Sequence, residues 1–211
     1  ADEYLSGNVR EKLEWAKRSA ELYPEDYTAH VQALERVQPV DLTASEIAVR
    51  LGATWLPTEV IDQFIYELFG TSPRSQRMIR SHYSQHTGAW NIESKFADRG
   101  NIKAENTYGT TRVNGYKIIE ETLNLRDLRI FDYVEDKYGN RVPVLNKKET
   151  AIAQGKQQLI KQAFQDWIWK DPARRERLTR LYNDKFNSIR PREYDGSHLN
   201  FVGINPEIKI G

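Results

Sequence analysis

The sequence contains no cysteine, which excludes disulfides and thiolate zinc sites from the chain. This absence is compatible with a reducing compartment, and we expect a cytoplasmic protein. No run of about 18 apolar residues occurs, so the sequence predicts no transmembrane helix and no membrane partner. The first residues, Ala1-Asp2-Glu3, lack the basic region and apolar core that a signal peptide requires.

Motifs that bind nucleotides or supply a nucleophile are also missing. The sequence has no G-x-x-x-x-G-K-[ST], no G-x-G-x-x-G and no G-x-S-x-G. Its four histidines are scattered; His82 and His86 are four residues apart, but in a predicted strand and turn. That placement favours ordinary surface histidines over a metal site. We therefore expect no catalytic residue, no metal site and no cofactor in these residues.

Charge is divided unevenly along the chain, although the net charge is only +1. Residues 1–70 hold 6 basic and 13 acidic residues, a net of −7, whereas residues 146–192 hold 12 basic and 5 acidic, a net of +7. Two interpretations stay open at this point. The acidic and basic ends attract each other within the fold, or they have different partners.

Hydrophobic periodicity predicts a mainly helical chain of the α+β class, with a small central antiparallel sheet and a C-terminal helical hairpin. Predicted helices cover 8–22, 26–37, 43–52, 57–70, 111–123, and two long segments after Asn146 and Asp171. Predicted strands cover 78–83, 89–92, 129–134 and 141–145, the last two forming a hairpin.

The same patterns divide the chain into four regions. These are an acidic helical region (1–72), a small α+β region (73–145), a basic helical hairpin (146–192) and a turn-rich tail (193–211). The tail ends at Gly211 without a recognisable closing element, so we expect the sequence to be a piece of a longer protein.

The two long C-terminal helices have clear start signals. Asn146 precedes a capping pattern that ends at Glu149, and Asp171-Pro172 places a capping residue before a first-turn proline. The predicted apolar stripe of the first helix contains Ile152, Leu159, Ala163, Phe164 and Trp167, and that of the second contains Leu178, Leu181, Tyr182 and Ile189. Gly155 and Lys156 do not fit this stripe; a close approach of another backbone would explain the glycine.

Carboxylates cluster at the tip of the predicted hairpin. Asp132, Glu135 and Asp136 are of the type that performs acid–base chemistry or holds a cation. Their position beside Gly139 is typical of a solvated turn, which is the favoured interpretation.

Arginines in the first turns of the last helix are the strongest local signal. Positive side chains at a helix amino terminus cost roughly 0.3–1 kcal/mol each, which suggests a bound anion such as a phosphate. Internal ion pairs with Asp171 and Glu176 are the open alternative. The predicted nucleic-acid-binding residues are Arg174, Arg175, Arg177, Arg180, Lys147, Lys148, Lys161, Lys185, Arg190 and Arg192. Because they do not share one helical face, they predict contact with a DNA or RNA backbone without base reading.

Several segments together resemble one protein family. They are Asp2–Leu13, Ser45–Pro57, Tyr108–Arg112 with the following helix to Leu125, Leu145–Ala151, Tyr182–Asn187 and Arg190–Leu199. The chain resembles, over nearly its whole length, the large phage, plasmid and conjugative-element proteins that join an adenine-specific DNA methyltransferase to a Swi/Snf-like superfamily-two helicase.

The resemblance implies a non-catalytic accessory or linker domain between the methyltransferase and the helicase core, in the bacterial cytoplasm. It implies ATP, magnesium and S-adenosylmethionine only for the larger protein, since the methyltransferase tetrapeptide Asn-Pro-Pro-Tyr and the ATPase loop are absent here. The implied partners are DNA, through its backbone, and the adjoining helicase and methyltransferase parts. Two alternatives remain: a protein-interaction or spacer module, and an uncharacterised enzyme.

Overall fold

The computed structural model describes residues 3–191, and this part of the chain has the predicted α+β architecture. The α-helices are α1 (Val9–Leu22), α2 (Pro24–Arg36), α3 (Thr58–Phe69), α4 (Pro73–Gln76), α5 (Gly115–Leu123), α6 (Lys147–Ile168) and α7 (Pro172–Phe186). The strands are β1 (Gly7–Asn8), β2 (Ser81–Ser84), β3 (Ala89–Ile92), β4 (Phe131–Glu135), β5 (Arg141–Leu145) and β6 (Ile189–Arg190).

Strands in the described residues pair two by two, always antiparallel. β2 pairs with β3, β4 pairs with β5, and β1 pairs with β6, so the sheet predicted for the middle of the chain consists of separate hairpins. The β4–β5 turn is held by Asp136, whose carboxylate accepts hydrogen bonds from the backbone amides of Tyr138 (2.8 Å) and Asn140 (2.9 Å).

The described residues divide into two compact units, one formed by residues 3–42 and 181–191 and the other by residues 43–180. The four predicted regions, bounded at 72, 145 and 192, stay a prediction. The predicted tail, 193–211, lies outside the described residues.

In the described part of the first unit, α1 and α2 pack around a small apolar cluster. Leu13, Ala16 and Leu34 are buried there, and Leu5 and Val31 pack against them.

Polar contacts join the two sequence segments of the first unit. The Arg10 guanidinium donates to the Asn187 carbonyl (2.8 Å), and the Asn183 side-chain oxygen accepts the Leu42 amide (2.8 Å). Side chains thereby give hydrogen-bond partners to these backbone groups, which no sheet pairs.

The second unit has its core where α3, α5 and α6 meet. Phe64 of α3 and Phe164 of α6 pack edge to face with ring centroids 5.2 Å apart. Ile118 and Ile119 of α5 and Ile160 of α6 are fully buried. Burying such a side chain contributes about 1.5–3 kcal/mol, so these apolar faces fix the relative positions of the three helices.

One predicted helix is wrong. The Glu46 side chain does accept the Thr43 amide (2.8 Å) as the capping pattern requires, but only a 3-10 turn, Ala44–Glu46, follows. Ile47, Val49 and Leu51 are buried and alternate with exposed residues. This period-two pattern of partly β-branched residues favours extended backbone, and it outweighs the helix start signal.

Gly52 ends this extended segment in a conformation that other residues rarely adopt. Its φ is +100°, and a Cβ atom there would lie 2.5 Å from the carbonyl oxygen of Leu123 at the end of α5. Glycine at this position therefore permits the close packing of the segment against α5.

The buried face of α6 also differs from the prediction. Ile152 and Leu159 are 42% and 54% exposed, whereas Ala153, Ile160 and Ile168 are buried. The predicted stripe is right for Phe164, which is buried, and wrong for Ile152 and Leu159, because the packed face also includes Gln157 and Thr150. The buried polar side chains find hydrogen-bond partners, which lets them replace apolar residues in the core.

The two exceptional residues of α6 have different explanations. A Cβ on Gly155 would meet nothing within 4 Å, so no close backbone contact accounts for it. Lys156 donates to the carbonyls of Asn106 and Thr107, both at 2.9 Å, and thereby binds the single turn of π-helix at Lys103–Thr107 to α6.

The predicted stripe of the last helix is corrected at one end. Leu178 is buried, but α7 ends at Phe186, and Ile189 lies in β6 with 67% of its surface exposed.

Candidate nucleic-acid interface

The amino end of α6 begins directly after β5. Asn146 caps it by accepting the Glu149 amide (3.0 Å), and its own amide group donates to the Asp132 carboxylate (2.8 Å). This cap presents Lys147 and Lys148 from the first turn, both exposed. Among residues 3–191 neither lysine side chain forms a hydrogen bond or ion pair.

The helix dipole adds to the charge of these two lysines. The unpaired amides of a helix amino terminus carry roughly half a positive charge, so two cations there raise the local potential further. Glu149 in the same turn offsets part of it. The arrangement favours an approaching anion.

The corner between α6 and α7 is organised by Asp171, which accepts the Arg174 amide (2.7 Å). The Arg174 side chain turns back to the end of α6. It donates to the carbonyls of Ile168 (3.0 Å) and Trp167 (2.6 Å), and its guanidinium lies 3.6 Å from the centroid of the Trp167 ring.

Arg174 is consequently only 6% exposed. Burial lowers the pKa of its guanidinium, while the carboxylates of Glu67 and Asp171 act in the opposite direction. The Arg174 side chain donates to carbonyls at the end of α6 that have no partner within the helix. The sequence predicted a phosphate contact for Arg174 and not this role. A phosphate at this corner would contact the arginines next to Arg174 instead.

Those neighbours are exposed. The Arg175 guanidinium donates weakly to the Trp169 carbonyl (3.4 Å). The Arg177 side chain forms no hydrogen bond or ion pair among the described residues. Arg180 is also exposed. Arg175 and Arg177, in the first two turns of α7, therefore present their guanidinium groups to solvent, whereas Arg174 does not.

The remaining predicted residues are distributed elsewhere. Lys185 is exposed, with its ammonium 6.0 Å from the Phe186 ring centroid. Arg190 is half-buried in β6 and donates to the Leu5 carbonyl (3.4 Å). Lys161 is half-buried in the middle of α6. Arg192 lies outside the described residues.

The structure does not gather the predicted residues into one patch. α6 has 22 residues, about 33 Å at the standard rise, so Lys147 and Arg175 lie at opposite ends of it. Lys161 lies between them and lines a cleft with Arg50 and Arg126. A single bound phosphate cannot reach all of these groups, whereas an extended polyanion can span them.

Carboxylates elsewhere in the second unit are engaged structurally. Asp132 accepts from the Arg112 guanidinium (2.8 Å) and from Asn146, and both hydrogen bonds hold its pKa below the usual value. The two backbone amides bound by Asp136 lower its pKa in the same way. These contacts support the turn interpretation of the hairpin tip.

A groove of about 570 Å³ along α3 holds a second set of polar groups. The Asp62 carboxylate is buried and accepts the Ser81 amide (2.6 Å), and burial raises its pKa. Tyr66 accepts from the Arg80 guanidinium (2.6 Å) and donates to the Gln76 carbonyl (3.1 Å). The groups bind one another and connect α3 with β2.

Neither a metal-binding cluster nor a membrane-spanning helix occurs in the described residues. No group of three or more histidine, aspartate or glutamate side chains there could hold a metal ion. None of the helices in residues 3–191 combines the length and apolarity needed to cross a membrane.

One family model matches the chain. The model of a domain of unknown function, DUF8437, matches residues 50–188. The chain belongs to the DUF8437 family. No curated protein and no solved structure matches it. The DUF8437 region begins at Arg50 and contains Lys147, Lys161 and the whole of α7, so most of the predicted basic residues fall within the family's domain.

Sequence reasoning did not find two basic residues of the DUF8437 region, Arg50 and Arg126. Each stands apart from the basic segment in sequence, and only the packing of the 44–52 segment and α5 against α6 brings them beside Lys161. No local pattern marks either residue. Recognising residues 47–51 as extended would have been the first indication that Arg50 lies near Lys161.

Proposed function

We propose that this chain is a non-catalytic accessory domain that contacts the sugar–phosphate backbone of nucleic acid. The observation that carries the proposal is that Lys147, Lys148, Lys161 and Arg177 form no ion pair with any carboxylate of the described residues. Such side chains release counterions when they meet phosphates, and this release supplies most of non-specific binding.

The distribution of these residues favours backbone contact over base reading. They lie along about 33 Å of α6 and at the start of α7, rather than along one helix face that could enter a groove. Phosphate contacts fix position and orientation without sequence information. The role is therefore to hold nucleic acid in place for chemistry performed elsewhere.

The resemblance to methyltransferase–helicase proteins supplies the context for this proposal. In that context the domain lies between the two activities in the bacterial cytoplasm and positions DNA for them, while ATP, magnesium and S-adenosylmethionine bind the adjoining parts. The absent nucleotide-binding and methyltransferase motifs agree with a non-catalytic role.

Fluorescence anisotropy with labelled duplex and single-stranded DNA tests the proposal. We expect binding at about 50 mM salt that weakens steeply by about 200 mM, because phosphate contacts dominate. No binding at the lower salt, or affinity independent of salt, would contradict it. Absence of binding together with retention on the helicase part of the larger protein would favour a spacer or protein-interaction module.

A further inference from the structure

A cleft of about 280 Å³ lies within the second unit, between the end of α5 and the middle of α6. Three basic residues line it, each from a different part of the sequence: Arg50 from the extended segment, Arg126 from the turn after α5, and Lys161 from α6. Its remaining lining residues are Leu51, Thr122, Leu125, Asp127, Gln157 and Gln165.

The inner wall of the cleft is polar and rigid. Gln157 is 1% exposed and donates to the Thr122 hydroxyl (3.0 Å) and to the Arg126 carbonyl (2.8 Å). Its side-chain oxygen accepts the Leu128 amide (3.4 Å). A buried, hydrogen-bonded glutamine therefore fixes the backbone that carries Arg126.

The turn after α5 has an uncommon conformation. Leu125 has a φ of +58°, in the left-handed region that glycine usually occupies at this position. The Leu125 amide bonds to the Thr122 carbonyl (3.0 Å), and the Arg126 amide bonds to the Glu121 carbonyl (2.9 Å). This closed turn places Arg126 and Asp127 at the mouth of the cleft.

The positive charge of the cleft is largely uncompensated. Among the described residues, the side chains of Arg50 and Lys161 form no hydrogen bond or ion pair. Arg126 pairs with Glu121 (3.2 Å), but that carboxylate also binds Lys117 (2.8 Å).

The charged side chains around the Arg126–Glu121 ion pair cancel one another in charge. Lys117 and Lys95 share two carboxylates, Glu120 and Glu121, so this network carries no net charge. The charge of Arg126 therefore remains. With Asp127 as the one lining carboxylate, the three cations leave the cleft with a net charge of +2.

We propose that this cleft binds the phosphate group of a phosphomonoester, carried either by a mononucleotide or by the 5′-phosphorylated end of a nucleic acid. A phosphomonoester carries about −1.5 to −2 charges at pH 7, which matches the net charge of the cleft better than a phosphodiester with one. The two guanidinium groups offer paired donors to its oxygens, and the ammonium of Lys161 adds a third charge-assisted contact.

This inference does not depend on the proposed backbone contacts. The cleft lies within one unit and shares Lys161 with the proposed backbone contacts, but its Arg50 and Arg126 take no part in those contacts. A mononucleotide can occupy it whether or not the protein binds DNA.

Isothermal titration calorimetry on the 211-residue chain tests the proposal, with inorganic phosphate, AMP and adenosine as ligands at constant ionic strength. We expect saturable binding of phosphate and AMP and none of adenosine. Lys161→Gln and Arg50→Gln should each weaken AMP binding about tenfold or more, because a charge-assisted contact is lost. Lys148→Gln is the control, since it removes an exposed charge from the same helix outside the cleft.

Two oligonucleotides of one sequence, with a 5′-phosphate or a 5′-hydroxyl, distinguish the sources of the phosphate. A preference for the phosphorylated end that disappears in Lys161→Gln assigns the cleft to nucleic-acid ends, and AMP binding without such a preference assigns it to mononucleotides. Equal binding of AMP and adenosine, no binding of AMP or phosphate, or equal effects of Lys161→Gln and Lys148→Gln would overturn the proposal. Circular dichroism of each variant excludes unfolding as the cause.

The same variants separate this proposal from the proposed function. Lys148→Gln should weaken duplex binding and leave AMP binding unchanged. If the chain fails to bind duplex DNA but binds AMP through Arg50 and Lys161, only the proposed function fails.

Discussion

The guanidinium of Arg174 stacks on the indole of Trp167, 3.6 Å from the ring centroid, and donates to the Trp167 carbonyl at 2.6 Å. One arginine thus stacks on an aromatic face and supplies a hydrogen-bond donor to the carbonyl end of α6. The Trp167 indole in turn donates to Glu67 of α3 (2.5 Å), which connects the corner to the core of the second unit.

Arg174→Ala should destabilise the chain by about 2–4 kcal/mol, because buried carbonyls lose a charged donor and the indole loses its cover. Urea unfolding followed by tryptophan fluorescence measures the change. Arg175→Ala is the matched control, and its exposed position predicts an effect within about 0.5 kcal/mol. Equal effects of the two substitutions would show that Arg174 does not stabilise the corner.

Two glycines predict opposite results for the same substitution. Gly52→Ala should cost more than about 2 kcal/mol, since the backbone is strained for alanine and the new methyl group would overlap the Leu123 carbonyl. Gly155→Ala should raise stability by about 1 kcal/mol, because Gly155 lies in the interior of α6 with open space around it. Thermal unfolding of both variants measures the difference, and a stabilising Gly52→Ala would refute the close approach to α5.

Asp62 should make stability fall as the pH rises. Burial outweighs its hydrogen bonds from Ser81 and raises its pKa, so the folded chain holds a proton that the unfolded chain releases above its ordinary pKa of 3.8. Asp62→Asn keeps an acceptor for the Ser81 amide and removes this penalty. The variant should gain stability over the native chain at pH 7, and the gain should shrink as the pH falls through the raised pKa and be lost below the ordinary value of 3.8. A gain that does not change with pH would contradict the assignment.

Glu120 should behave in the opposite way. Burial raises its pKa, but the Ile92 amide and the ammonium groups of Lys117 and Lys95 together lower it below 4.5. Its contribution to stability is present at neutral pH and is lost as the pH falls through the lowered pKa. Glu120→Gln should therefore destabilise the chain most at pH 7 and progressively less toward pH 3, as measured by urea unfolding at each pH.

Local signals in the sequence were sufficient for most helices and hairpins of the described residues. The capping residues Asn146 and Asp171 and the left-handed Gly70 after α3 lie where their chemistry predicts. Competition between signals explains the failure at residues 44–52, where a capping box precedes an extended apolar run.

Side-chain environments were less predictable than elements. The sequence identifies Arg174 as a cation at a helix amino terminus, but it does not reveal that the carbonyls of Trp167 and Ile168 lie within its reach. Likewise, Arg50, Arg126 and Lys161 line one cleft only because α5 and the extended segment pack on α6. Tertiary packing decides both cases, and no periodicity encodes it.

The central claim is that unpaired cations of α6 and α7 bind nucleic-acid phosphates, and the salt dependence of duplex binding tests it most directly. The comparison is between the native chain and the variant Lys147→Gln/Lys148→Gln/Arg175→Gln/Arg177→Gln. A plot of log affinity against log salt should lose about 0.9 in slope for each phosphate contact removed.

A variant with four charges removed elsewhere, Lys17→Gln/Arg18→Gln/Arg74→Gln/Arg77→Gln, controls for net charge. The claim predicts a slope reduced by about 2 to 4 in the α6–α7 variant and nearly unchanged in the control. Equal slopes for the native chain and the α6–α7 variant, or an equal loss in both variants, would contradict it.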